Sequence, residues 1–305
     1  MDTDLILNAE DVDADSRLDV FVSENISEFT RSFLKKHIES GCIKVNGKIQ
    51  KAGYKLKSGD IIYIEAIKNI IPDILEEDIP LDILYEDIDI IVINKPKGMV
   101  VHPAAGHYTG TVVNALMCHC KNELSGINGY LRPGIVHRID MDTSGVIIAA
   151  KNDKAHKNLA EQFALHSINR VYEAVTINVI KDDNLDIDKP IGRHSVDRKK
   201  MCVTDKNSRN AVTHIKVIER FNANTFIEAR LETGRTHQIR VHMAHIGHPL
   251  LGDIVYGPAK DKYKLNSQAL FAKSLGFIHP SSGDYMEFEA PRPEYMESLL
   301  KKLRR

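Results

Sequence analysis

The chain has few cysteines and no long apolar run. Cys42, Cys118, Cys120 and Cys202 form no CxxC pair, so neither a disulfide scaffold nor a zinc ribbon is expected. The longest apolar runs, such as residues 90–93 and 146–150, fall far short of the ~20 residues a membrane span requires. The opening segment, MDTDLILNAEDVDAD, has no Lys or Arg before its few apolar positions. That pattern predicts neither a signal peptide nor a transit peptide. Internal repeats and low-complexity tracts are absent as well. A reduced, soluble, cytoplasmic protein is expected. The 305 residues, 43% hydrophobic and 27% charged, suffice for a packed core and suggest two domains, or one large domain with an appendage.

The net charge of −1 hides an uneven distribution. Residues 1–15 carry six acids and no bases, and residues 16–66 carry nine bases against six acids. Residues 67–93 carry one base against eight acids, and residues 94–305 carry 31 bases against 22 acids. Two basic blocks are thus separated by an acidic one. Such blocks can attract a polyanion, although charge alone is equally compatible with a solvated surface. The acidic stretch at 67–80 holds two prolines and loses periodicity, which marks it as a linker. The expected organisation is an acidic segment over 1–15, a small domain over 16–66, the linker, and a large domain over 81–305.

In the small domain, Thr30 is placed to cap a helix that Gly41 would end. Arg31 and Lys35 share one face of that helix at i,i+4. The alternation in CIKVNGKIQ around Asn46-Gly47 predicts a hairpin. Lys44, Lys48, Lys51, Lys55 and Lys57 follow within 14 positions, and Gly59-Asp60 leads into the strand IIYIEAI. This order suits an RNA-backbone grip or a merely charged surface. SRLDVFVSE…TRSFLKKHIESGCIKVNGK…GYKLKSGDIIYIE resembles the alpha-L RNA-binding motif over about 50 residues. The resemblance implies an RNA-binding role, with Arg31, Lys35 and Lys48 as candidate contacts.

In the large domain, strand-like runs occur at 88–95, after the Pro96-Lys97-Gly98 turn, and at 134–139, 145–150, 172–179, 211–219, 225–232 and 274–279. Helical segments occur at 110–121, 153–166 and 236–246. Short links between neighbouring strands predict an α+β fold with a mixed, largely antiparallel sheet rather than a doubly wound one.

The densest polar cluster is GIVHRIDMDTSGVIIAAK, residues 134–151. A loop flanked by strands is a common place to hold a reactive carboxylate. Asp140 and Asp142 could equally serve a backbone turn. Asp140-Met-Asp142-Thr143 has Ser144 where a haloacid-dehalogenase-type phosphatase needs Thr or Val. No ligand ladder or closing Glu follows for an EF-hand. The glycine loop at 106–111 lacks the spacing and the Lys of a P-loop.

A second cluster, ARLETGRTHQIRVHMAHIGHPLLGD, carries Arg230, Arg235, Arg240, His237, His242, His245 and His248. It has no HExxH arrangement, so a metal site is not expected. Thr236 is instead placed to cap a helix whose arginines and histidines meet a phosphate or carboxylate. The basic segment RHSVDRKKM contributes Arg193, Arg198, Lys199 and Lys200.

Together these segments resemble the RluA/RluD family of pseudouridine synthases. HRIDMDTSG is similar to that family's HRLDxxTSG signature. NKPKGMVVHPAAGHYTGTVVNAL, NRVYEA, RHSVDRKKM, LETGRTHQIRVHMAHIGHPLLGD and FIHP…MEFEAPRP follow the family's order across nearly all of 81–295. The alpha-L motif matches the RluD-like branch. Ile139 and Ser195 depart from the usual Leu and Pro.

The resemblance implies an enzyme that breaks the N1–C1′ bond of a uridine within RNA, rotates the uracil and rejoins it through C5. It implies Asp140 as the catalytic aspartate and Arg240 as its partner. Tyr172 would lie against the target uracil, and Arg138 would fill the space of the flipped base. His137, Arg235, Arg198 and Lys199 are candidate substrate contacts. Cleavage builds positive charge on the sugar, which a carboxylate can stabilise, attack or relieve of a proton. An arginine keeps that carboxylate ionised, and the target base must leave its stack to be reached. No cofactor or metal is implied, because the reaction is an isomerisation. The expected partner is large-subunit ribosomal RNA or a pre-ribosomal particle, met by a monomer without a membrane. A non-catalytic RNA chaperone is the alternative from another class, and it would be expected to lack the Asp, Arg or Tyr.

Overall fold

In a computed structural model of the chain, the described residues are 4–26, 31–66, 74–103, 107–121, 123–127, 132–197, 200–258 and 262–305. The chain divides into two compact units, Met1–Asp73 and Ile74–Arg305. Among the described residues, no helix is long and apolar enough to cross a membrane.

The first unit holds the strands β1 (Leu5–Asn8), β2 (Ile43–Val45), β3 (Lys48–Ile49) and β4 (Ile61–Ile64), in the order β1-β4-β2-β3. Helices α1 (Leu18–Asn25) and α2 (Arg31–Ser40) supply Leu18, Phe21, Leu34 and Ile38 to one core with Ile43, Val45, Ile62 and Ile64. Asn46 and Gly47 form the expected turn, with φ at 50° and 75°, and Gly41 at φ 85° follows α2. The capping position Thr30 and linker residues 67–73 lie outside the described residues. The acidic segment differs from expectation, because part of it joins the small sheet. β1 runs antiparallel to β4, since alternation turns Leu5 and Leu7 onto the core.

The second unit is built on β5 (Ile83–Glu86), β6 (Ile90–Lys95), β7 (Ser144–Ala150), β8 (Asn169–Ile177) and β9 (Asn184–Asp188). A separate three-stranded sheet follows, from β10 (Ile191–Arg193), β11 (Met201–Val203) and β12 (Ser208–Arg209). β13 (Val212–Arg220), β14 (Asn224–Leu231), β15 (Leu270–Ile278) and β16 (Tyr285–Glu289) complete the main sheet. Its order is β5-β6-β7-β15-β8-β14-β13-β9, with β16 beside β15. One pair, β7–β15, is parallel, through Ser144–Phe271 and Gly145–Ala272. The other pairs in this sheet are antiparallel. This is the mixed, largely antiparallel α+β arrangement expected.

Strand alternation divides the core between the two faces of the sheet. Ile90, Val92, Val146 and Ile148 face helices α4 (Asp153–Ala164) and α6 (Glu294–Leu303). Ile91, Ile93, Ile147 and Ala149 face α3 (Val112–Cys120). Further along, Ala174, Ile227 and Ala229 pack with Ile239 and Met243 of α5 (Gln238–His245). Tyr172 touches both of these last two clusters.

Two expected strands are absent. The segment after Gly98 bonds through the Val100 and Val101 carbonyls to the amides of Val112 and Val113, at the start of α3. Residues 134–139 make only an isolated bridge, Ile135–Ala149. The Gly134 carbonyl takes the Ala150 amide, and the His137 imidazole takes the Ile148 amide at 3.0 Å. A side chain thus replaces part of a strand partner along β7.

Lys95, Gly145, Ala272 and Tyr172 form one register row across the middle of the sheet. Gly145 has φ 119°, and a Cβ there would overlap the Ala272 backbone. Only glycine meets both demands. Gly145→Ala is expected to cost about 3 kcal/mol, read as a lower urea midpoint, and an unchanged midpoint would show that the β7–β15 seam can relax.

Candidate active site

Residues 138–142 form the loop that enters β7 at Ser144. Its backbone is held by Lys95, a fully buried lysine at the end of the apolar strand β6. Nζ donates to the carbonyls of Pro96, Met99 and Met141 at 2.9, 2.7 and 2.9 Å. Burial pushes this ammonium down to about 7, against the opposing pull of Asp142 and Asp140. The Thr143 amide closes a turn on the Asp140 carbonyl at 3.0 Å. The Asp140 carboxylate is thereby free of turn duty.

Arg240 of α5 gathers the acidic groups. Its Nη1 donates to Asp140 Oδ2 at 2.8 Å. Nε and Nη2 form a two-pronged pair with Asp253 at 2.7 and 3.0 Å. Burial disfavours the Arg240 cation, and Asp253 and Asp140 more than offset that cost. Asp253 is fully buried and also accepts the amides of Val255 and Tyr256. Burial raises its carboxyl, but Arg240 and these amides outweigh burial and hold it below the ordinary range. The start of α5 differs from expectation. Thr236 is not its cap; His237 occupies that position at φ 57° without a side-chain cap bond. This conformation sets His237 Nδ1 2.8 Å from the Tyr256 hydroxyl and Nε2 3.8 Å from Asp140 Oδ1.

Asp140 lines two cavities, of about 380 and 350 Å³. Tyr172 lines the first, and burial raises its phenol. Arg138 lines both, is exposed, and makes no hydrogen bond or ion pair among the described residues. His137 also borders the first cavity, but its Nε2 is committed to Ile148 and its ring stacks on Phe163 at 4.6 Å. Burial, helped by Arg170, pushes the imidazole down to about 3, so it is neutral at physiological pH. Arg235 reaches the same cavity while its Nε donates to the Asn210 carbonyl at 2.9 Å. Arg198 and Lys199 lie outside the described residues. Asp142 borders the second cavity only.

The histidines of α5 do not converge. His242 is buried against Thr213 and the Lys189 carbonyl. In the first unit, Arg31 and Arg17 both clamp the buried Asp19. Lys35 lies 3.8 Å from Glu39, and Lys48 is exposed on its hairpin.

Lys95 and Asp253 were not among the expected site residues. A lysine closing an apolar strand was the available signal for the first. Nothing in GHPLLGD distinguishes the second from an ordinary turn aspartate.

Residues 89–245, just over half of the chain, match the RNA pseudouridylate synthase family. The chain belongs to that family. Residues 16–62 match the S4 domain. A Bacillus subtilis protein named as an uncharacterized RNA pseudouridine synthase, YlyB, is 50% identical, with 98% of each chain covered. The ribosomal large subunit pseudouridine synthase D of Zymomonas mobilis is 46% identical over 94% of this chain and 93% of its own. The protein of that name in Pseudomonas aeruginosa is 43% identical over 99% and 97%. Human RNA pseudouridylate synthase domain containing 1 shares the fold, with a TM-score of 0.57 at 24% identity, covering 74% of this chain and 95% of its own. The chain is therefore an RNA pseudouridine synthase with an S4 domain ahead of its catalytic fold.

Arg240→Met would strip a buried carboxylate of its partner. Asp253's depressed pKa stabilises the wild type above the ordinary aspartate value, about 4, and that stabilisation fades as pH falls through the folded value. The variant is expected to lose about 3–5 kcal/mol at neutral pH, with the gap narrowing as pH falls below about 4 and Asp253 takes up a proton. Urea unfolding at a series of pH values reads this directly, and a pH-independent gap would contradict it.

Proposed function

We propose that this synthase isomerises specific uridines of large-subunit ribosomal RNA, with Asp140 as the reacting carboxylate. The observation that carries the residue assignment is its position. Asp140 is the carboxylate that borders both cavities, and Arg240 holds it while itself anchored by Asp253. The ribosomal target is supported by the names of the Zymomonas and Pseudomonas relatives.

The target uridine leaves its stack and enters the cavity beside Tyr172, whose ring lies flat against the uracil at little entropic cost. Arg138, unpaired at the mouth of both cavities, takes the space vacated in the RNA. Asp140, held by Arg240 at 2.8 Å, acts on the sugar as the N1–C1′ bond breaks. Arg235, at the first cavity, meets the RNA backbone, and Arg198 and Lys199 of the basic segment RHSVDRKKM are further contacts in this proposal. In the first unit, Lys48, Lys35 and Arg31 supply electrostatic contact and no chemistry. Arg31 does so with a side chain half exposed while tied to Asp19.

Asp140→Asn is expected to abolish pseudouridine formation while RNA affinity and the melting temperature stay close to wild type. Asp142→Asn should be far milder. Single-turnover assays on ribosomal RNA, with pseudouridine mapping of total RNA with and without the gene, test the residue and the target together. Substantial turnover by Asp140→Asn would sink the assignment.

Deleting residues 1–66 is expected to leave a catalytic unit that still modifies RNA at high concentration. Its affinity should be weaker and its salt dependence shallower, by roughly one unit of slope for each phosphate that no longer meets a cation. An unchanged slope across a salt series would remove the first unit from RNA recognition.

A further inference from the structure

Arg170 lies on β8 two residues from Tyr172, so both side chains leave the same face of the sheet. It is 7% exposed and lines the 380 Å³ cavity with Asp140 and Tyr172. One arm of its guanidinium is satisfied, because Nη2 donates to the carbonyls of Glu232 and Leu231 at 2.5 and 3.4 Å. Nη1 packs over Gly234, where a Cβ would press on it at 2.5 Å. Nε is buried without a hydrogen-bond partner. Among the described residues no carboxylate pairs with this cation. The titratable groups that act on it are Tyr172 and a second cation, Arg235.

A desolvated cation without a counter-ion is expensive unless something else meets it. The guanidinium lies 5.8 Å over the Phe163 ring, which is no counter-ion, and the cavity it lines is where a charged partner can reach it. A backbone phosphate is better served at the mouth, where Arg138 is exposed and unpaired. The wall beside Tyr172 receives the base. Uracil is neutral as it enters. When the N1–C1′ bond breaks, the bonding pair stays on N1 and the base becomes an anion whose charge spreads to its carbonyl oxygens.

We propose that Arg170 stabilises the detached uracil anion by donating to one of its ring carbonyl oxygens. This rests on the reading of the Asp140–Tyr172 cavity as the base site. The step balances without a further reactant. C5 supplies the pair for the new C5–C1′ bond and loses its proton, and N1 gains one. A fixed donor aimed where charge develops contributes most in a dry site. The wall beside Arg170 carries the neutral His137 stacked on the half-buried Phe163, neither of which offers it a competing charge.

The test uses full-length Arg170→Met and Arg170→Lys in single-turnover assays at saturating RNA. Arg170→Met is expected to slow product formation by about 100-fold or more, with RNA affinity little changed and the lysine variant partly active. A second readout separates charge stabilisation from folding. With RNA carrying 5-fluorouridine, the base leaves as a weaker anion, so the deficit of Arg170→Met in N1–C1′ cleavage should shrink. Added guanidinium ion should also restore activity to Arg170→Ala. Weakened affinity and salt slope with an unchanged saturated rate would make Arg170 a phosphate contact and overturn the proposal. So would an equal deficit on both substrates without guanidinium rescue, which would mark a structural arginine. Activity surviving in Asp140→Asn would instead overturn the reading of the site.

Discussion

One guanidinium determines the geometry of the catalytic unit. Arg240 meets Asp140 from a loop 100 residues earlier and Asp253 from a turn 13 residues later. Each of its three nitrogens donates to a carboxylate, a fixed fork that lysine in its place could not reproduce. Asp253 orients Arg240, and Arg240 in turn orients Asp140. The neighbouring His237, forced into a left-handed conformation, completes the enclosure with Tyr256. Strain of this kind persists only where surrounding contacts fix it.

The loop that presents Asp140 is built by substitution of side chains for backbone partners. Lys95 gathers three carbonyls under it, and His137 occupies an amide of β7. Both are residues with ordinary surface chemistry that burial converts into structural parts. Each is far from its usual pKa for the same reason, the loss of water.

Much of this was legible in the sequence. The strands β6, β7, β8, β13 and β14 announce themselves by apolar runs, and the Asn46-Gly47 turn by its dipeptide. The family resemblance pointed to Asp140 and Arg240 together. The failures share a cause. Residues 134–139 have the composition of a strand, but His137 takes up the Ile148 amide where a ladder would run. Thr236 has the chemistry of a cap, but the tertiary demand on His237 moves the helix start. β1 was hidden in an acidic segment whose charge masked the alternation of Leu5 and Leu7. Asp253 and Arg170 matter through what surrounds them, and burial is not written in a single chain's residue order.

The strand order carries a consequence for synthesis. β15 is near the end of the chain, yet it lies in the sheet between β7 and β8. Until residues 270–278 insert there, the loop holding Asp140 and the strand holding Tyr172 have no common edge. An S4 unit made first can fold early, as amino-terminal domains do during translation. The pairing of β7 and β8 through β15 cannot. It is late and long-range, the slow kind. A growing chain on the ribosome thus carries a folded S4 unit well before the main sheet of its synthase unit is complete.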